Sequence, residues 1–356
     1  MRKRVLAIGG AFALVAAVAW LSRGTPKQGG EAKAPAAEVT ETEQPVLVTK
    51  TTQAAGPGDK RTATKAAADA PVFFAKWGGG SGELGRETPS EGNPRGPTSF
   101  AVDSNGTMTV LDGVNGRLVR RGSDGKTENA QSLDLVYPED VAVGADGSTA
   151  VLDRFQGKAV SVYDANGNAR GKLALAGDGI DDTGSVTGVF VDGKDVYVER
   201  EHGPLVKIGD TSGTPAEPRT EIPGRPTRDG LSYLKAGIIE APVGRVYVTS
   251  VERATETHRF TRELRLAAAV HSILLLDADR SGTIYFAAEV QGSTGDPEVV
   301  LHCLDGRSGV PTGSAILPAN TLPDETFKDF VVLDGGGVMH ALRTEAGVSY
   351  TRYDCI

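Results

Sequence analysis

The stretch DADRSGTI, Asp277 to Ile284, sets Asp, Asp and Ser at alternate positions, then Gly, then an apolar residue two further on. An EF-hand calcium loop begins this way, because alternate carboxylates converge on one hard cation and the Gly permits the sharp bend. The twelfth position of such a loop falls on Ala288, which has no carboxylate; Glu289 is one place late. A plain hairpin turn explains the same residues. Of the five histidines, His202, His258, His271, His302 and His340, no two stand at i,i+2 or i,i+4 spacing, so a metal site would draw its ligands from separate segments. The two cysteines, Cys303 and Cys355, form no C-x-x-C, and the chain has no G-x-S-x-G. No cofactor and no catalytic residue is therefore read from the sequence, and an enzyme is the less favoured reading.

The chain ahead of these residues is of another kind. Arg2, Lys3 and Arg4 precede residues 5–22, which carry no charge. At about 1.5 Å per residue that run just spans a bilayer, and its basic flank favours export of the chain beyond it. Residues 1–23 thus read as a signal peptide or an N-terminal transmembrane anchor. Ala17-Val18-Ala19 offers a cleavage site, while the apolar run continuing past it favours the anchor. Residues 24–70, rich in Ala, Thr, Pro, Lys and Glu with no aromatic side chain, read as a disordered, flexible linker. An exported, periplasmic or cell-envelope location is the resulting expectation, with residues 5–22 holding the inner membrane if uncleaved. Such a compartment allows a Cys303–Cys355 disulfide. The formal charge is −8 overall; residues 1–23 carry four basic groups and no acid, and 24–70 is balanced, which leaves −12 on residues 71–356. That acidity argues against a nucleic-acid partner.

Beyond residue 70 short alternating apolar segments recur, broken by Gly, Asp and Asn, so the chain is expected to be all-β. Six paired-strand units stand at 99–112, 140–153, 188–200, 236–250, 273–288 and 329–343. Most are followed by a third strand, at 116–121, 158–164, 204–210, 258–264, 298–305 and 348–354, the fourth of these (HRFTREL) being equally readable as helix. Several strands in each unit of about 40–50 residues predict a six-bladed β-propeller over 71–356. The last unit shows three strands, and VFFAKW at 72–77 is the natural fourth, closing the ring. In this frame DADRSG holds the hairpin position of DSNG (103–106).

The segment 96–121, GPTSFAVDSNGTMTVLDGVNGRLVRR, resembles the NHL repeat through Pro97, Val102, Asp103, Gly106, Val110, Asp112, Asn115, Arg117 and Leu118. The second unit keeps Pro138, Val143, Gly147, Val151 and Asp153, with Lys158 where Arg is usual, and the later units lose the Asn-x-Arg element. The resemblance implies the six-bladed fold. Among similar propellers, peptide-amidating lyases hold zinc with axial histidines, and lactonases hold calcium with axial Glu, Asn and Asp. By analogy His340, within a second strand, and His271, just before a first strand, hold positions that can approach the axis, and Glu199, Glu240 and Glu289 could supply part of a carboxylate set, with no matching Asn evident. A metal-dependent lyase or hydrolase in the axial channel is thus the alternative function.

The favoured function is a protein-binding scaffold module in an envelope or surface assembly. The loops after the second strands are expected to share one face of the disc, and four carry arginine at corresponding points. Arg154, Arg200, Arg253 and Arg343, with Phe155 as an exposed aromatic anchor, are the expected binding residues for a protein partner.

Overall fold

The computed structural model describes residues 71–126 and 128–355. The expected signal or anchor at 1–23 and the linker at 24–70 lie outside the described residues. Among the described residues the chain forms six sheets of four or five strands and two short 3-10 turns. No helix among them is long and apolar enough to cross a membrane.

The protein is a six-bladed β-propeller. Two strands come before the first complete blade, β1 (Phe73–Trp77) and β2 (Glu83–Leu84). Blade one is β3 (Ser99–Val102), β4 (Met108–Asp112), β5 (Arg117–Arg121) and β6 (Glu128–Ser132). Blade two is β7 (Asp140–Val143), β8 (Thr149–Asp153), β9 (Ala159–Tyr163) and β10 (Ala169–Ala174). Blade three is β11 (Val186–Asp192), β12 (Asp195–Arg200), β13 (Leu205–Asp210) and β14 (Pro215–Ile222). Blade four is β15 (Arg225–Pro226), β16 (Ser232–Glu240), β17 (Arg245–Glu252) and β18 (His258–Arg265). Blade five is β19 (Val270–Ala278), β20 (Ile284–Gln291), β21 (Pro297–Leu304) and β22 (Pro311–Pro318). Blade six joins β23 (Phe330–Val332), β24 (Val338–Thr344) and β25 (Gly347–Tyr353) to β1, with β2 at its edge.

Every residue of β4 and β8 is buried, because second strands are covered on both sheet faces by neighbouring blades. The ring closes as the three-strand count required. Residues Phe73 to Lys76 pair antiparallel with Tyr350 to Gly347. The Tyr350 ring, 1% exposed, lies between Phe73 of β1 (5.7 Å, stacked) and Phe100 of β3 (5.1 Å, edge-on), so the two chain ends share one core.

The axis is held by charge. Asp140, at the start of β7 and fully buried, accepts hydrogen bonds from Ser99 Oγ (2.6 Å), its neighbour's amide Val141 N (2.8 Å) and Val189 N (2.8 Å). Lys328, which precedes β23, reaches across to it (2.9 Å) and also donates to the Val141 (3.0 Å) and Val189 (3.2 Å) carbonyls. Four blades therefore meet at one carboxylate. Gly188 leaves room for it: a Cβ there would lie 3.4 Å from Asp140 Oδ2 and 3.2 Å from the Phe190 ring. On the other side of Phe190, Arg225 grips Glu199 with two bonds (2.9 and 3.1 Å) and donates to the Leu276 carbonyl (3.2 Å), linking blades three, four and five.

Antiparallel strands send successive loops to opposite faces. The upper face carries the loops between second and third strands and the connections between blades. The lower face carries the other hairpins. DADRSG is one of these lower turns. Asp279 Oδ1 accepts from Thr283 N (2.9 Å) and Ser281 Oγ (2.7 Å), its Oδ2 accepts from Tyr285 Oη (3.2 Å), and Gly282 takes φ +89°. Asp103, Asp164 and Asp210 cap turns in the same way. Asp277 faces elsewhere, toward Arg228 (3.3 Å). The alternating carboxylates of the motif have different partners, and the loop is a hairpin built on a side-chain-capped turn.

Blade four departs from the sequence expectation. The hairpin at 236–250 is not its first and second strands but its second and third, β16 and β17, and HRFTREL is its fourth strand, not a third strand or a helix. The inner strand is only Arg225–Pro226. Its shortness hid it, since two residues give no alternating pattern, while the solvent-facing Ile238 and Ile239 of β16 imitate an inner strand.

Cys303 of β21 and Cys355 after β25 form a disulfide across blades five and six, Cα atoms 6.1 Å apart. It closes a loop of 52 residues, which corresponds to about 4 kcal/mol of unfolded-chain entropy. Cys303→Ser is expected to lower the unfolding free energy by about 3–4 kcal/mol in denaturant titration, and reductant to do the same to the unaltered protein. Lys328→Met, which strands Asp140 without its cation, is expected to cost about 3–5 kcal/mol by the same measurement, with part of the loss recovered when Asp140→Asn is added.

Candidate functional site

The expected binding residues do not form one ring. Arg253 falls in the hairpin between β17 and β18, on the lower face, where it pairs with Asp192 (2.6 Å) of the first hairpin of blade three. The shifted strand order of blade four is the reason. Arg343 lies within β24, near its upper end, and its side chain is 2% exposed and bound to Asp329 (2.6 Å). Arg200 turns outward to the Gly179 carbonyl (2.6 Å) and Glu221 (3.5 Å).

Arg154 and Phe155 do come together. They follow β8 in the loop to β9. Arg154 Nε donates to Glu139 (2.8 Å), and its Nη1 donates to the carbonyls of Gly184 (3.3 Å) and Val186 (3.2 Å). Burial raises the Glu139 carboxyl, and the Arg154 guanidinium offsets only part of that rise. Held from below, the Arg154 guanidinium lies 4.6 Å from the Phe155 ring and 4.8 Å from the Phe327 ring. Phe155 stays 51% exposed, edge-on to Tyr137 at 6.5 Å, and Val136 beside it is 76% exposed. Arg95 covers the Tyr137 ring from the other side (5.3 Å) and pairs with Glu87. Beside Tyr137 a pocket opens among the upper loops of blades one, two and six, walled by Val114, Val136, Tyr137, Pro138 and Phe327, with Arg95, Glu139 and Glu325 as its charged groups.

The sequence reading missed Val136, Tyr137, Glu139 and Phe327. They belong to connections between blades, not to loops after second strands. One signal was available: the run VYPED, 136–140, puts an apolar pair and Glu139 directly before the inner strand that Asp140 opens.

The residues named by analogy with metal-binding propellers are dispersed. Glu199, 3% exposed, is matched by Arg225; burial alone would raise its carboxyl, but the guanidinium, with His202 beside it, brings it to about 2. Glu240 pairs with Arg245 (3.0 Å), and Glu289 with His271 (3.2 Å). His258 meets Thr261 (2.9 Å). His302 lies on β21, where burial lowers its pKa to about 4. His340 is packed within blade six, stacked on Phe330 at 4.2 Å. Among the described residues no three His, Cys, Asp or Glu are grouped to hold a metal ion. The Asp-Asn-Arg element of blade one is structural. Asp112 accepts from Asn115 (2.8 Å) and Arg117 (2.8 Å), and Arg117 in turn donates to the carbonyls of Gly79 (3.2 Å), Gly80 (3.2 Å) and Glu83 (2.9 Å).

His340 is 1% exposed, neither ring nitrogen has a hydrogen-bond partner, and burial lowers its pKa to about 4. The unfolded chain, with a histidine pKa of about 6.5, binds this proton first, so the neutral ring's stabilisation is complete above pH ~6.5 and is lost as pH falls toward ~4. Going from pH 7 to pH 5 is expected to remove about 2 kcal/mol through this residue. His340→Phe should flatten that part of the stability–pH curve, measured by urea midpoints across the range.

No known family profile and no curated protein matches the sequence. Solved structures do match in fold. A member of the duf4221 family from Bacteroides vulgatus is 9% identical with a TM-score of 0.49, over 82% of this chain and 98% of that one. Hydrazine synthase of Kuenenia stuttgartiensis is 13% identical with a TM-score of 0.45, over 75% and 89%. BamB from Moraxella catarrhalis is 12% identical with a TM-score of 0.38, over 82% and 99%. The six-bladed fold itself is read from the sheet order of this chain.

Proposed function

We propose that the propeller is a protein-binding scaffold module of the cell envelope that docks its partner on the upper face around Phe155. The observation that carries this reading is the exposed pair Val136 and Phe155 flanking the half-buried Tyr137, with the Phe155 ring on a guanidinium already held by Glu139 and two carbonyls. An exposed aromatic costs about 1.5–3 kcal/mol in forgone burial, and an aromatic–arginine centre beside a pocket is the usual anatomy of an interface hot spot. Arg154 is held by Glu139 and two carbonyls, so its geometry is set before a partner arrives. The reading of the N-terminal 1–23 as signal or anchor and 24–70 as linker favours a head outside the cytoplasm, and the Cys303–Cys355 bond suits an oxidising compartment. The NHL-like motif of blade one supplies the scaffold and not the contact surface.

A photo-crosslinking amino acid at position 155 in the full chain, in its native cells, is expected to give a discrete adduct with another protein; the same probe at Gly193, on the lower face, should not. Val136→Ser with Phe155→Asp should abolish partner retention while leaving the melting temperature within about 2 °C, since both side chains are already solvated. Equal adducts from both faces, or none from position 155, would remove the reading.

A further inference from the structure

The pocket beside Tyr137 has apolar walls but an acidic surround, and the two together point to the chemistry of what enters it. The guanidinium that touches two of its lining residues, Phe327 and Glu325, is already used. Arg154 is closed by Glu139 at 2.8 Å and by two backbone carbonyls. Glu325, on the pocket's rim, stands 3.7 Å from Arg154 with its side chain 51% exposed, so it faces solvent with most of its charge unmatched. Arg86 is divided between Asp324 (3.3 Å) and Glu345 (3.0 Å), whose side chain is 80% exposed. Arg95 is committed to Glu87. Three arginines in this neighbourhood thus meet five carboxylates.

The next connection continues the same sign. Residues 175–185 lead from blade two to blade three and carry Asp178, Asp181 and Asp182, all exposed, with no basic residue. They abut the site, because the Gly184 carbonyl is bonded to Arg154. Acidic side chains near an apolar pocket raise the local concentration of positive charge and repel a negative partner.

Resting on the reading of this face as a docking surface, we infer that the segment it receives is basic: a stretch of a partner protein with lysine or arginine flanking one aliphatic or aromatic side chain. The apolar side chain enters between Val136, Tyr137 and Phe327 and covers Phe155. The flanking cations meet Glu325 and the 178–182 loop. Arg154 serves as a positioning residue that keeps Phe155 and Phe327 apart.

The test is a random dodecapeptide display library panned on the full chain, with affinities of enriched peptides read by fluorescence anisotropy. The enriched pool is expected to be net positive with a Leu, Ile, Phe or Trp anchor. Its peptides should bind several-fold more weakly as salt rises from about 50 to 300 mM. They should lose roughly tenfold on Phe155→Asp and on Glu325→Lys, with a smaller loss on Glu325→Gln. Melting curves of each variant exclude unfolding as the cause. An acidic or neutral pool that is still lost on Phe155→Asp would overturn the basic partner and leave the docking face standing. Basic peptides indifferent to both substitutions would overturn the site itself, as would a library that yields no enrichment.

Discussion

The meeting of four blades at the axis depends on one buried carboxylate, Asp140. Blades pack side by side through apolar faces, but apolar contact alone does not fix how strands converge at an axis, where backbone groups crowd and few side chains fit. Asp140 solves this by taking donors from blades one, two and three, and Lys328 brings blade six to it from across the ring. In a low-dielectric interior such a group is tolerable only when charge and hydrogen bonds are both satisfied, so the same interaction that costs desolvation also admits one arrangement of the four blades. Arg225 and Glu199 do the equivalent for blades three to five.

That arrangement accounts for where the surface features fall. Lys328 and Phe327 leave the same connection, one to the axis and the other to the pocket beside Tyr137, and both of their amides are bonded to the Thr98 carbonyl (3.2 and 2.7 Å). The candidate docking face is thus anchored to the axial lock through two adjacent residues. Exposed Phe155 stands on this frame rather than on a free loop, consistent with a pre-organised contact surface.

Much of the architecture was legible in the residues because most blades repeat an alternating pattern of paired strands, and because an incomplete last unit demands a strand from the other end. Blade four was misread where periodicity is uninformative, at a two-residue inner strand beside a long, partly solvated hairpin. That shift alone moved Arg253 to the other face. That Arg154 and Phe155 adjoin was legible because they are neighbours next to a regular strand. That Tyr137, Glu139 and Phe327 adjoin them was not, because which inter-blade connections meet is a property of the ring and has no spacing in the chain. The buried state of Arg343 was hidden for a similar reason: its partner Asp329 lies 14 residues away across a hairpin.

Closure through β1 also has a consequence in time. Trp77 Nε1 donates to the Thr344 carbonyl across 267 residues of chain, and the whole of β1 waits on β25 in the same way. A ribosome delivers β1 first and its only antiparallel neighbour last. Through nearly all of synthesis the strand FFAKW has no sheet to join, and five blades can stack before the sixth exists. The order of assembly is therefore set by the seam: local hairpins form early, and the circle becomes a circle in one late, long-range step.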